Sequence, residues 1–204
     1  MMALYSSENC LDCHRVRFVL AEKGINVEII HLEQDRAASA DLAELNPYSE
    51  PPTLVDRDLV LYGTWVVTEY LDERYPHPPL MPVDPVSRSR LRLVMYRIFR
   101  DWIDAGKIIE TSTGQKRVET ARKHLREGVI AANDMFSLTE YLLNDELSLA
   151  DCALVPLLWR LPAYDIDINA KNAPDAHRYM ERMFRRDSFR RSLTEAERLL
   201  RESE

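Results

Sequence analysis

The sequence predicts an α/β domain followed by an all-α domain, with the α/β part running βαβαββα. Three observations predict this. Apolar runs of strand length alternate with helix-spaced segments over the first 75 residues; residues 76–85, PHPPLMPVDP, carry five of the eleven prolines; and beyond them the apolar patterns are helical. The chain therefore divides into an α/β domain at 1–75, a proline-rich connector at 76–85 and a helical domain at 86–204.

Residues 2–5 are a short apolar run that stops at Ser6, Ser7, Glu8 and Asn9. From Cys13 the apolar positions Val16, Val19 and Leu20 follow at helical spacing toward Gly24, a helix stop. A second strand spans 27–32, and a second helix spans 37–45 up to Asn46-Pro47, where proline discourages continuation. Residues 53–55 and 59–62 are two short strands separated by Asp56, Arg57 and Asp58. That spacing suits a hairpin and is too short for a parallel crossover. Thr64 is placed to cap a helix running through Arg74, whose apolar face is Val66, Val67, Tyr70 and Leu71. The connector prolines lack backbone donors and favour a stiff, extended course. After them, 86–109, 116–143, 149–163, 174–186 and 192–202 all have helical patterns.

Composition excludes several functions. A formal charge of −7, with 27 Lys and Arg against 34 Asp and Glu and no sustained basic stripe, argues against direct nucleic-acid binding. No apolar run is long enough to cross a bilayer, and the first residues, MMALYSSENC, have neither the basic nor the apolar region of a secretory leader, so the expected location is the cytoplasm. The histidines lack metal-ligand spacing and the five glycines form no phosphate cradle, so neither a metal nor a phosphate loop is expected.

Two local motifs carry chemistry. Leu147-Ser148-Leu149-Ala150-Asp151-Cys152 reads as a helix start with Ser148 at the N-cap and Asp151 at the third helical position, a structural capping box in which Asp replaces Glu or Gln. Cys10 and Cys13 form a C-x-x-C pair where the loop after the first strand enters the first helix, a position at which the helix N-terminus favours a thiolate. In a redox reading Cys10 is the nucleophile and Cys13 the resolving thiol; in the alternative the pair fills apolar space, and the Asp12 carboxylate opposes thiolate formation. The segment Tyr75, Pro76, His77, Pro78, Pro79, Leu80 and Met81 likewise has two readings. It is either a stiff docking surface with little entropy left to lose, or a spacer that fixes the angle between domains.

The element order, the proline pair in Pro51-Pro52-Thr53-Leu54 and the SLADC cap together resemble the cytosolic glutathione transferase superfamily, over nearly the whole chain. Longer strings are more specific: VRFVLAEKG at 16–24, LNPYSEPPTLVDRDLVLY at 45–62, EYLDERYPHPPLMPVDPV at 69–86 and LLWRLP at 157–162 resemble the stringent starvation protein A family within that superfamily. The resemblance implies a thioredoxin-like first domain with a cis bond at Pro52, a proline bond being the kind that tolerates it. It also implies a homodimer that associates with bacterial RNA polymerase holoenzyme and adjusts transcription in starvation and stress, without appreciable transferase activity. No catalytic residue is then expected, and Tyr75 to Met81 become the partner-binding surface, with His77 a contact residue and not a pH sensor.

The resemblance further implies a vestigial glutathione site at Cys10, Pro52, Thr53, Gly63 and Thr64, with the Thr53 backbone able to hold the cysteinyl part. Where transferases set an acidic residue before the Ser or Thr after strand four, this chain has Gly63 before Thr64. A missing charged hydrogen bond costs about 1.5–3 kcal/mol, so glutathione, the only cofactor in view, is expected to bind weakly or not at all. The alternative function is a glutathione-dependent thiol transferase or redox protein using Cys10.

Overall fold

The structure, a computed structural model, describes residues 2–201. It forms two compact units, one made of the residues through Pro78 together with the segment from Asp187 onward, the other of Pro79–Arg186.

In the first unit, β1 (Met2–Ser6), α1 (Leu11–Lys23), β2 (Glu28–His31), α2 (Arg36–Leu45), β3 (Thr53–Asp56), β4 (Leu59–Tyr62) and α3 (Thr64–Arg74) follow in the expected βαβαββα order. The four strands lie in the order β2-β1-β3-β4. β1 is parallel to β2 and antiparallel to β3, and β3 and β4 form an antiparallel hairpin, a thioredoxin-like arrangement. The bond between Pro51 and Pro52 is cis, and so is the one between His77 and Pro78. Gly24 ends α1 in the left-handed conformation, φ 64°, with the Ile25 amide reaching back to the Leu20 carbonyl at 2.9 Å. Asp35 caps α2 through the Ala37 and Ala38 amides.

Thr64 does not cap α3. It is the first helical residue, and Gly63 takes the cap position with φ 80°, a backbone that disfavours any residue with a Cβ.

Helix α1 is buried nearly all round: Val16, Phe18 and Val19 are fully enclosed, and so are His14, Arg15 and Arg17. The cover for its polar side is the segment expected to belong with the other helices. Helices α9 (Asp187–Ser192) and α10 (Glu195–Leu199) belong to the first unit, and α9 packs on α1 with Phe189 edge-on to Phe18, centroids 5.2 Å apart. The helical domain expected at 86–204 thus loses its end to the α/β domain. A buried polar cluster explains why. Arg17 donates to Glu197 Oε1 at 2.7 Å, to the Ser192 carbonyl at 3.1 Å and to the Ser6 hydroxyl at 2.6 Å, while His14 lies 3.1 Å from the Ser192 hydroxyl.

The second unit is helical: α4 (Pro85–Ile98), a π-helical turn (Phe99–Ile103), α5 (Asp104–Thr111), α6 (Gln115–Ala131), α7 (Leu149–Arg160) and α8 (Pro174–Arg185). The stretch expected as helix at 116–143 leaves the α-helix at Ala131 and continues as a 3-10 turn at Asn133–Ser137. α7 packs against α4 and α8 and is buried from Leu149 to Leu158. Its start is the expected capping box. The Ser148 hydroxyl accepts from the Ala150 amide, and Asp151 accepts from the Ser148 amide at 2.9 Å, the Leu142 amide at 2.8 Å and the Tyr179 hydroxyl at 2.7 Å. Among the described residues no helix is long and apolar enough to cross a membrane, and no group of three His, Cys, Asp or Glu residues is placed to hold a metal.

Candidate functional site

Strand pairing gathers the residues expected to form a glutathione site. Tyr5 pairs with Thr53 and Thr53 with Tyr62, so the C-terminal end of β1, the start of β3 and the end of β4 lie side by side. The loop to Cys10, the Pro52-Thr53 turn and the Gly63-Thr64 turn all leave the sheet at this end. Pro52, Thr53 and Thr64 are buried. Thr53 is held by its hydroxyl, which donates to the Glu50 carbonyl at 3.2 Å and accepts from Asn46 Nδ2 at 3.0 Å. Gly63 contributes no side chain, although a Cβ built there meets nothing within 4 Å. Gly63 is therefore open in space and strained in backbone for any residue with a Cβ.

Cys10 and Cys13 stand where the sequence puts them. Cys10 is the N-cap of α1 and half-buried; its sulfur accepts from the Cys13 amide at 3.3 Å. The Cys13 side chain, which hydrogen-bonds to that sulfur, is the largest influence pulling the Cys10 pKa below that of an ordinary thiol, with the amides of Cys13 and Asp12 helping. Burial and the Asp12 carboxylate push the other way without prevailing, and Asp12 is itself engaged by Arg15 at 2.7 Å. Burial and the Cys10 neighbour push the Cys13 thiol up. The two sulfurs are thus unlike: the half-buried Cys10 is shifted toward the thiolate and the buried Cys13 toward the thiol. Cys152 is buried in α7, in the second unit.

The loop carrying Cys10 is fixed from below. Arg17 donates to the Ser7 carbonyl at 3.2 Å, the Ser7 amide donates to Cys13 Sγ at 3.4 Å, and the Thr194 hydroxyl donates to the Glu8 carbonyl at 2.7 Å. Sequence reading missed Arg17, Ser192, Thr194 and Glu197 as parts of this site. Their only signal is an arginine inside an apolar helix, because the partners lie some 180 residues away.

At the connector, Pro76, His77, Pro78 and Pro79 are exposed and Tyr75 is half-buried. Leu80 and Met81, expected on the same surface, are buried at 2% and 5% exposure, and the Leu80 carbonyl accepts from the Leu149 amide at 2.9 Å. Large apolar side chains are among those most often buried, and these two follow that rule in spite of the exposed prolines before them. The accessible stretch is therefore 76–79, followed after the buried pair by Val83, 91% exposed, and Val86, 60% exposed. None of the residues singled out from the sequence lines the cavity of about 750 Å³ between α5 and α6, which is bounded by Asp104, Ile108, Arg117 and His124 among others.

Two family profiles match the chain: glutathione S-transferase, N-terminal domain, at residues 9–74, and glutathione S-transferase, C-terminal domain, at 87–187. Stringent starvation protein A homologs are similar over nearly the full length. The one from Coxiella burnetii is 48% identical over 99% of this chain and 96% of that protein, and the one from Pasteurella multocida is 46% identical over 95% and 90%. Among solved structures, a glutathione S-transferase from Methylobacillus flagellatus with glutathione bound superposes with a TM-score of 0.81 at 25% identity, covering 95% of this chain and 99% of that one.

Proposed function

Because the chain belongs to the stringent starvation protein A family, we propose that it is an RNA-polymerase-associated regulator of the starvation and stress response, acting in the cytoplasm as a homodimer and without appreciable glutathione transferase activity. The observation that carries this reading is the 44–48% identity to stringent starvation protein A homologs, which extends over at least 95% of this chain. The docking surface is the exposed turn Pro76–Pro79. It is stiff, and prolines carry little entropy to lose on association. The acidic composition fits a protein that reaches promoters through polymerase and not through DNA. Gly63 supports the missing transferase activity, since the glycine leaves the ligand ammonium without a carboxylate. Co-elution with purified RNA polymerase holoenzyme on size exclusion tests the reading. The unmodified chain is expected to co-elute at micromolar concentration and a His77→Ala/Pro78→Ala variant to be lost from the complex; absence of co-elution by the unmodified chain refutes it.

A second reading rests on the Cys10–Cys13 pair at the start of α1: the Cys10 sulfur attacks a disulfide and releases one thiol, Cys13 attacks the mixed disulfide and releases the second, and excess glutathione reduces the resulting Cys10–Cys13 disulfide. Turnover of a mixed disulfide with glutathione that disappears in Cys10→Ser supports it, and no turnover removes it.

A further inference from the structure

A lysine in the last turn of a helix ordinarily keeps its ammonium in water near the terminal carbonyls. Lys23, the last residue of α1, does otherwise. Its side chain is fully buried, and its nitrogen contacts Asp72 Oδ1 at 2.7 Å, the Tyr75 carbonyl at 2.6 Å and the Pro78 carbonyl at 2.7 Å. An ammonium has three donors, and here each has one acceptor. Asp72, on α3 and itself buried, balances the charge.

The turn it grips needs such a donor. Of the four residues 76–79, only His77 has a backbone N–H, so the segment is rich in carbonyl oxygens and almost devoid of groups that could close it on itself. Lys23 draws two carbonyls three residues apart onto one nitrogen. The residues between them, Pro76 and His77, are exposed. The same ammonium also joins the end of α1 to α3, so the turn is anchored to two helices of the first unit and not merely to its own chain.

We propose that Lys23 is the positioning residue of the polymerase-docking turn. It never touches the partner, but it holds the Tyr75–Pro78 backbone in the one shape that presents His77. The inference rests on the docking reading above. A turn held in its bound shape before encounter spends less of its interaction free energy on ordering, and removing the clamp forfeits that advantage.

The test titrates holoenzyme with the unmodified chain and its variants, His77→Ala alone among them, each at a temperature where urea unfolding shows it to be folded. Lys23→Met, which keeps the length of the side chain and removes all three donors, is expected to bind at least about tenfold more weakly. Asp72→Asn, which removes the ion pair but leaves the ammonium on both carbonyls, is expected to lose stability and keep its affinity. Combining Lys23→Met with His77→Ala is expected to weaken binding no further than the stronger single change, because both act through one turn. Should Lys23→Met not fold, Lys23→Arg substitutes for it; its planar fork keeps a charge beside Asp72 but cannot converge on both carbonyls, and about threefold or greater weakening is expected. Unchanged binding by Lys23→Met, or by Lys23→Arg in its place, overturns the proposal, as does equal weakening by Asp72→Asn. Failure of the unmodified chain to bind is a different result: it removes the docking surface itself and the positioning role with it.

Discussion

The two cysteines show how a few ångströms separate chemically identical side chains. Cys10, at the helix N-cap, collects the Cys13 side-chain hydrogen bond and two amides, and its pKa falls; Cys13, one turn inside, is buried and its pKa rises. The thiolate is the reactive form, so a lowered pKa extends Cys10 reactivity to more acidic pH than a free cysteine allows. Alkylation by iodoacetamide followed against pH, with Cys10 resolved by mass spectrometry, is expected to half-rise below the ordinary thiol value. In Cys13→Ala the half-rise should move up, since the leading stabilising contact is gone; a profile that does not move would show that the helix N-terminus alone sets the thiolate. The C-x-x-C spacing made this pair legible in the sequence, but its polarity was not. The Asp12 charge, the one opposing feature visible in the sequence, is offset by Arg15 at 2.7 Å and by donors that only the fold supplies.

Among the elements, the strands and helix ends written in local chemistry were the ones the sequence revealed: the β3–β4 hairpin across Asp56-Arg57-Asp58, the stop at Gly24, and the Ser148–Asp151 cap. The start of α3 was misread because Thr64 has the side chain of a cap, whereas the chain reverses at Gly63, where a positive φ and not a hydroxyl is required. The π-helical turn between α4 and α5 left no mark in the apolar spacing. The cap before α7 makes an energetic prediction. Ser148→Ala is expected to lower unfolding free energy by about 1 kcal/mol. Asp151→Ala should cost more, about 3 kcal/mol, because it strands the buried Tyr179 hydroxyl and the Leu142 amide as well as the Ser148 amide. Urea denaturation of the two variants measures both; equal losses would mean that the carboxylate serves only the cap.

For the whole molecule, the feature hidden from sequence reading is which unit the last helices serve. Ser188, Ser192 and Glu197 look like a solvated face when read locally, yet all three are buried in the first unit. Arg17 and Glu197 are a fully enclosed pair at 2.7 Å. Removing one partner of such a pair typically costs about 3–5 kcal/mol, so Glu197→Gln is expected to lower unfolding free energy well beyond what Ser148→Ala does and at least as far as Asp151→Ala. A shift under about 0.5 kcal/mol, the size usual for a surface change, would show the cluster to be solvated. The arrangement also has a bearing on synthesis. At roughly 5–20 residues per second, a ribosome that has finished Pro78 has many seconds of translation ahead before the codons from Asp187 onward are read. Throughout that interval the nascent α/β half lacks the Glu197 carboxylate that pairs with Arg17 and the Ser192 hydroxyl beside His14. A product that stops anywhere within the helical half therefore lacks the segment that completes the first unit as well.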